Sequence, residues 1–166
     1  MNLYVWSVPV FARGLSNLAT LLAKSNAHAQ QARYDVSALL GARLFPDMFP
    51  LIRQVQLATD FAKGSCARLA GLEVPRWEDT ETTLDEITAR ITRAQDFLAS
   101  LRPEQFEQAA TRRIELKTPA GDFSFAGEAF LQQWGLPNFY FHATTVYNLL
   151  RHNGVPIGKL DFLGPL

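Results

Sequence analysis

The sequence predicts an all-α fold: a four-helix bundle with one small β-hairpin between its third and fourth helices. Three observations carry this prediction. Apolar residues recur at spacings of three and four in four separate stretches, each stretch is bounded by helix-starting or helix-stopping residues, and a strict polar/apolar alternation lies between the last two. With 166 residues the chain has length enough for one core, so a single domain over residues 1–166 is expected.

The first helix is expected from Ser7 to about His28, where Val8, Phe11, Leu15, Leu18, Ala19 and Leu22 make one apolar face. Pro9 is tolerable in its first turn, where a missing N–H has no intrahelical partner. Gly14 weakens the helix by roughly 1 kcal/mol relative to alanine and marks close packing against a neighbour. A polar link through Asn26 to Arg33 leads to a short connecting helix, capped near Asp35 and stopped before Pro46. The second principal helix has Asp47 at its N-cap position and Pro50 in its first turn, runs to about Leu69, and ends at Ala70-Gly71. Its buried side is Leu51, Val55, Ala58, Phe61, Ala62, Cys66 and Leu69; its wet side is Arg53, Gln56, Asp60 and Lys63. Gln54 breaks that division, because it projects onto the apolar side, where its amide needs a partner.

Leu72 to Glu81 reads as a loop, and Thr83 with Glu86 makes a capping box that opens the third helix, which continues to about Leu101. Leu84, Ile87, Ile91, Ala94, Phe97, Leu98 and Leu101 form its apolar stripe. A short helical turn spans Pro103 to Phe106. Thr111 to Lys117 alternates polar and apolar, and Phe123 and Phe125 repeat the pattern after Pro119-Ala120-Gly121, so a hairpin resting on the helices is expected. Gly127 to Trp134 is helical again, and Gly135 to Pro137 is a kink or a break. The fourth helix follows, with Phe139, His142, Ala143, Val146, Leu149 and Leu150 on one arc at about 100° per residue. The tail from Val155 to Leu166, with Pro156, Gly158, Gly164 and Pro165, is expected to be irregular.

Composition narrows the function classes. A content of 48% hydrophobic and 19% charged residues belongs to a folded globular protein and not to a disordered one. Sixteen basic and sixteen acidic residues cancel, so no long-range field draws the chain to nucleic acid or an anionic membrane. No window approaches the roughly 18 apolar residues of a membrane span, and Met1 to Leu22 does not read as a signal peptide. A cytoplasmic protein follows by default. The single cysteine, Cys66, excludes an intramolecular disulfide, and its apolar helix face marks it as a small inert hydrophobe.

The polar groups expected inside are few. His142 on the fourth helix and Gln54 on the second are the pair placed to meet between helices, where bundles host sites. A buried imidazole needs a hydrogen-bond partner or a metal, so His142 reads either as a satisfied core histidine or as a ligand contact. Gln54 has the parallel alternative of bonding a backbone carbonyl. His28 and His152 read as solvated cations near helix C-termini, and with three histidines in all the chain is short of metal donors. Asp60 and Lys63 read as a solvated face, and Thr80 to Thr83 as capping.

The segments Phe45-Pro-Asp-Met-Phe-Pro-Leu51, Gln54 to Lys63, Glu81-Thr-Thr83, Leu136 to Tyr147, Arg151 to Lys159 and Asp161-Phe-Leu-Gly164 resemble a bacterial family of uncharacterised proteins, a domain of unknown function within the DinB/YfiT-like superfamily. The resemblance covers nearly the whole chain. It implies a DinB-like four-helix bundle, often dimeric, with three histidines holding a divalent metal, and some members of the superfamily act as thiol transferases. The superfamily pattern has a histidine on the second helix and a His-x-x-x-His pair on the fourth, followed nine residues later by arginine. Arg151 lies nine residues after His142, so the resemblance makes His142 the second histidine of that pair, Asn138 the first position and Gln54 the second-helix position.

Two of three imidazoles are thus replaced by amides, which are poor ligands for zinc or nickel. The expectation is a degenerate metal site with no tightly held cofactor, any divalent metal being bound weakly through Gln54, Asn138 and His142. The function expected is recognition of a small molecule in a pocket between the second and fourth helices, lined by Gln54, Asn138, His142 and Tyr147. The alternatives are a metal-dependent thiol transferase and a non-catalytic structural or interaction module. The expected partners are a small molecule and a second copy of the chain, without nucleic acid or membrane.

Overall fold

The computed structural model describes residues 2–165; Met1 and Leu166, the two ends of the single domain expected over 1–166, lie outside the described residues. The chain is mostly helical: α1 (Tyr4–Ala32), α2 (Ser37–Leu40), α3 (Leu51–Ala70), α4 (Leu84–Ala99), a 3₁₀ turn (Pro103–Phe106), β1 (Arg113–Thr118), β2 (Gly121–Ala126), α5 (Gly127–Phe130), a π-turn (Leu131–Gly135), α6 (Leu136–His152) and α7 (Lys159–Leu163). The four long helices share one core. α3 is its centre, packing most extensively on α6 and also on α4 and α1, while α1 also meets α4 and α6. Among the described residues no helix is long and apolar enough to cross a membrane.

Helix α1 starts earlier and ends later than its apolar periodicity suggests, so the link expected at Asn26 to Arg33 is helical up to Ala32. Pro9 consequently lies inside the helix instead of in its first turn. Its lost hydrogen bond falls on the carbonyl of Val5, a residue that is 56% exposed. Gly14 is the close approach the sequence suggests, since a Cβ there would stand 2.5 Å from Cε1 of Phe139, whose ring is edge-on to Phe11. α3 opens at Pro50, which is extended and occupies the cap position, so Asp47 is not its N-cap. It ends at Gly71 with φ 73°, a left-handed turn that glycine adopts without strain. The Arg112 guanidinium donates to the carbonyl of Leu69 in that last turn.

Helix α4 begins on the expected capping box: Thr83 Oγ1 accepts from Glu86 N–H at 3.2 Å and Glu86 Oε2 accepts from Thr83 N–H at 3.0 Å. The hairpin pairs Arg113 with Ala126 through Thr118 with Gly121, around a two-residue turn. Ile114 and Leu116 are buried, and Phe125 packs on Phe130 and Trp134, so the hairpin rests on the helices as two strands alone could not. Gly135 to Pro137 neither breaks nor stops the helix. The chain widens into the π-turn, which accommodates the missing N–H of Pro137 before α6 continues.

The tail is more ordered than its glycines and prolines suggest. Val155 and Ile157 are buried, and α7 is opened by Asp161, whose Oδ2 accepts from Gly158 N–H at 2.7 Å. Lys24 of α1 pairs with Asp161, and Asn17 donates to Phe162 O at 3.0 Å.

Candidate functional site

His142 and Gln54 meet across the α3–α6 seam. Nδ1 of His142 lies 2.7 Å from Oε1 of Gln54, and Gln54 Nε2 donates to the Phe49 carbonyl at 3.2 Å. The Phe49 contact needs a donor, so the amide NH₂ faces Phe49 and the amide oxygen faces the imidazole. An amide oxygen only accepts; Nδ1 therefore carries the proton, and Nε2 holds a lone pair. His142 is 8% exposed, with Phe61 of α3 stacked over it at 5.5 Å between centroids. Burial, followed by the charge of Arg53, pushes its pKa down to about 4, so the ring is neutral at pH 7. Among the described residues Nε2 has no hydrogen-bond partner, and it keeps contact with solvent.

Asn138 lies one helical turn before His142, on the same side of α6, but its amide donates to the Trp134 carbonyl at 2.8 Å. It secures the backbone of the π-turn. Tyr147 follows His142 by five residues, about 140° further round the helix. It packs edge-on against Phe162 of α7 at 5.9 Å, so the structure does not bring it to the Gln54–His142 pair. Cys66 is buried, and burial pushes its thiol pKa up, consistent with an inert side chain.

Two cavities flank the α3–α6 seam, and neither has Gln54, Asn138, His142 or Tyr147 in its wall. One of about 480 Å³ lies between α1, α6 and α7, with Gly14, Leu18, Phe139 and Leu163 in its wall. A second, of about 550 Å³, opens between α3, the loop after it, β1 and Trp134, and Phe61 belongs to its wall. Phe61 therefore separates His142 from this second cleft.

The face of α3 expected to be wet is largely buried. Gln56 is 4% exposed and Lys63 3%, because the loop before α4 folds over them. Arg90 of α4, also 3% exposed, organises that loop. Its Nε donates to Thr59 Oγ1 at 2.9 Å, Nη1 to Glu81 Oε1 at 3.0 Å and the Glu78 carbonyl at 2.9 Å, and Nη2 to Asp60 Oδ1 at 3.0 Å, while Asp79 Oδ1 forms an ion pair with Nη2 at 2.9 Å. Burial opposes the charge of Arg90, but the bonds from Glu81 and the fields of Asp60, Glu81 and Asp79 outweigh it and raise its pKa. Glu81 also accepts from Gln56 Nε2 at 2.9 Å, so it joins two helices besides standing before the capping box. Lys63 pairs with Asp60 at 2.8 Å and stands 4.1 Å from the centroid of Trp77, whose ring Arg93 also approaches at 4.4 Å. Desolvation lowers the pKa of Lys63 against the pull of Asp60.

The model of a domain of unknown function, DUF1993, matches residues 3–163. The chain belongs to that family. A crystal structure of a DinB family member protein from Shewanella denitrificans, at 1.83 Å resolution, superposes on this DUF1993 chain with a TM-score of 0.92. The two are 41% identical over 99% of this chain and 93% of that one. DUF1993 is thereby tied to a DinB-like, mainly helical fold, as the resemblance of the helix motifs implies. No curated protein matches the chain.

Proposed function

We propose that this DUF1993 protein is a small-molecule-binding member of the DinB-like four-helix bundles, reading its ligand through the Nε2 edge of His142, and that its metal site has decayed. One observation carries the reading: Gln54 holds the Nδ1 proton of a neutral imidazole and so presents an acceptor lone pair at a point that water reaches. The ligand group that fits is a hydrogen-bond donor, a hydroxyl or an amine. The donor set speaks against a resident transition metal. Gln54 spends its oxygen on His142 and its nitrogen on Phe49, and Asn138, its nitrogen spent on Trp134, offers only an amide oxygen, so one imidazole nitrogen and one weak oxygen donor are left where three imidazoles are expected.

Elemental analysis of purified, untagged protein, with zinc, nickel, iron and manganese titrated back and His142→Ala run alongside, tests the metal half. The expected result is no stoichiometric metal in either protein. Metal held by the wild type and lost by the variant would overturn the decayed site and favour the metal-dependent transferase. Thermal-shift screening of small alcohols and amines tests the ligand half: stabilisation seen with wild type and absent from a folded His142→Ala supports it, and identical responses leave His142 as a packed core residue.

A further inference from the structure

The second cleft has a chemistry of its own, independent of Nε2 of His142. It collects four cations, Lys63, Arg68, Arg76 and Lys117, against two carboxylates, Asp60 and Glu115. Both carboxylates are already engaged. Asp60 bonds Lys63 and Arg90, and Glu115 pairs with Arg113 at 3.0 Å. Among the described residues Arg68, Arg76 and Lys117 have no acidic group within ion-pair distance, so the cleft carries uncompensated positive charge.

Arg68 is the built part of this arrangement. It is half-buried on α3, and its Nη1 donates to the Gly64 carbonyl one turn back at 3.0 Å. A Cβ at Gly64 would stand 2.8 Å from that nitrogen, so the glycine leaves the notch in which the guanidinium lies. Burial without a counter-charge lowers the pKa of Arg68, a standing cost that a bound anion would remove. The other N–H groups of its planar fork match a carboxylate or phosphate in two-pronged fashion.

The remaining wall is flat and apolar. Trp134 is carried into the cleft by the π-turn and braced from behind by Phe123 at 5.3 Å, with Phe61 across from the hairpin side. At about 550 Å³ the space suits a small organic molecule. We infer that this cleft binds a small organic anion with a flat aromatic body, its carboxylate or phosphate held by Arg68 with Lys117 and Arg76 beside it, and its ring laid along Trp134 and Phe61.

Isothermal titration with 2-naphthoate, 2-naphthyl phosphate and the uncharged 2-naphthamide tests this. At least one of the two anions is expected to bind one-to-one, at least about tenfold tighter than the amide, and whichever is tighter identifies the head group. Arg68→Gln should reduce the anion to about the affinity of the amide. Lys117→Gln, at an exposed strand position that cannot unfold the protein, should weaken it by about two- to fivefold. Lys159→Gln removes a cation on distant α7 and should leave it unchanged. Equal binding of anion and amide, an Arg68→Gln or Lys117→Gln variant no weaker than Lys159→Gln, or no binding up to about 1 mM would each overturn the inference.

Discussion

Phe61 lies almost parallel over His142, with 17° between the ring planes. One face of the imidazole is thus shut off from water, and its pKa falls from 6.5 in the open chain to about 4 in the fold, burial being the larger cause and Arg53 the smaller. Between those two values the unfolded chain binds a proton that the native state refuses, so stability is complete above about pH 6.5 and is lost as pH falls towards 4. The full span is worth about 3 kcal/mol. Urea unfolding at pH 7.5 and pH 4.5 should show that loss in the wild type and a smaller one in His142→Gln; equal slopes would mean the ring is not held neutral.

Replacing the acceptor rather than the ring separates charge from packing. Gln54→Glu keeps the shape of the side chain but sets a carboxylate against Nδ1, and the opposite charge should raise the pKa of His142 by about 1–3 units. A histidine titration followed by NMR reads this directly. The Phe49 carbonyl loses its donor in the same variant, at a cost of about 1–3 kcal/mol, so the protein should be less stable although its histidine is better paired.

Arg90 holds three carboxylates and a backbone carbonyl from the interior of the protein. Arg90→Leu leaves Glu81 without a cation, while Asp60 keeps Lys63 and Asp79 keeps Arg53, and should cost about 3–5 kcal/mol in denaturant unfolding. Amide exchange should rise first at Glu78 to Glu81, the stretch that Arg90 ties down, while α6 stays protected. Uniform loss of protection would show that the loop is not tied separately.

Gly14→Ala drives a methyl group into Phe139 and should destabilise by about 1–3 kcal/mol. Phe139→Leu makes room for it, so the double variant should be more stable than the sum of the two single losses, and a double-mutant cycle measures that coupling. Additive losses would mean that the two helices do not touch at this point.

What the sequence made legible was what repeats or is local. The capping box of Thr83 and Glu86 and the alternating strands need a few neighbouring residues, and the Gln54–His142 meeting needed two helical projections that each put one polar group on an apolar face. The buried polar and charged groups escaped because their compensation comes from elsewhere: Gln56 and Lys63 go under cover through Trp77 and Glu81, on a loop with no periodicity. One signal was available. Arg90 is flanked by Ile87 and Ile91 on the apolar stripe of α4, where a lone arginine demands partners. Nothing in the spacing of Asn138 reveals its bond to Trp134, because that carbonyl is set by the π-turn, and the turn is a response to Pro137 in its tertiary setting.

The π-turn also works as a phase-setter. One surplus residue in a helical turn rotates everything on its N-terminal side by about 100° relative to a regular helix. Phe130 and the hairpin can thus be aimed at the cleft while Asn138 and His142, beyond the turn, remain aimed at α3. Shortening the chain by one residue at Gln133 would swing Phe130 and the hairpin out of the cleft wall and leave Trp134 and the Gln54–His142 bond in register. A lineage could therefore remodel the cleft by adding or dropping a single codon there, without disturbing the histidine.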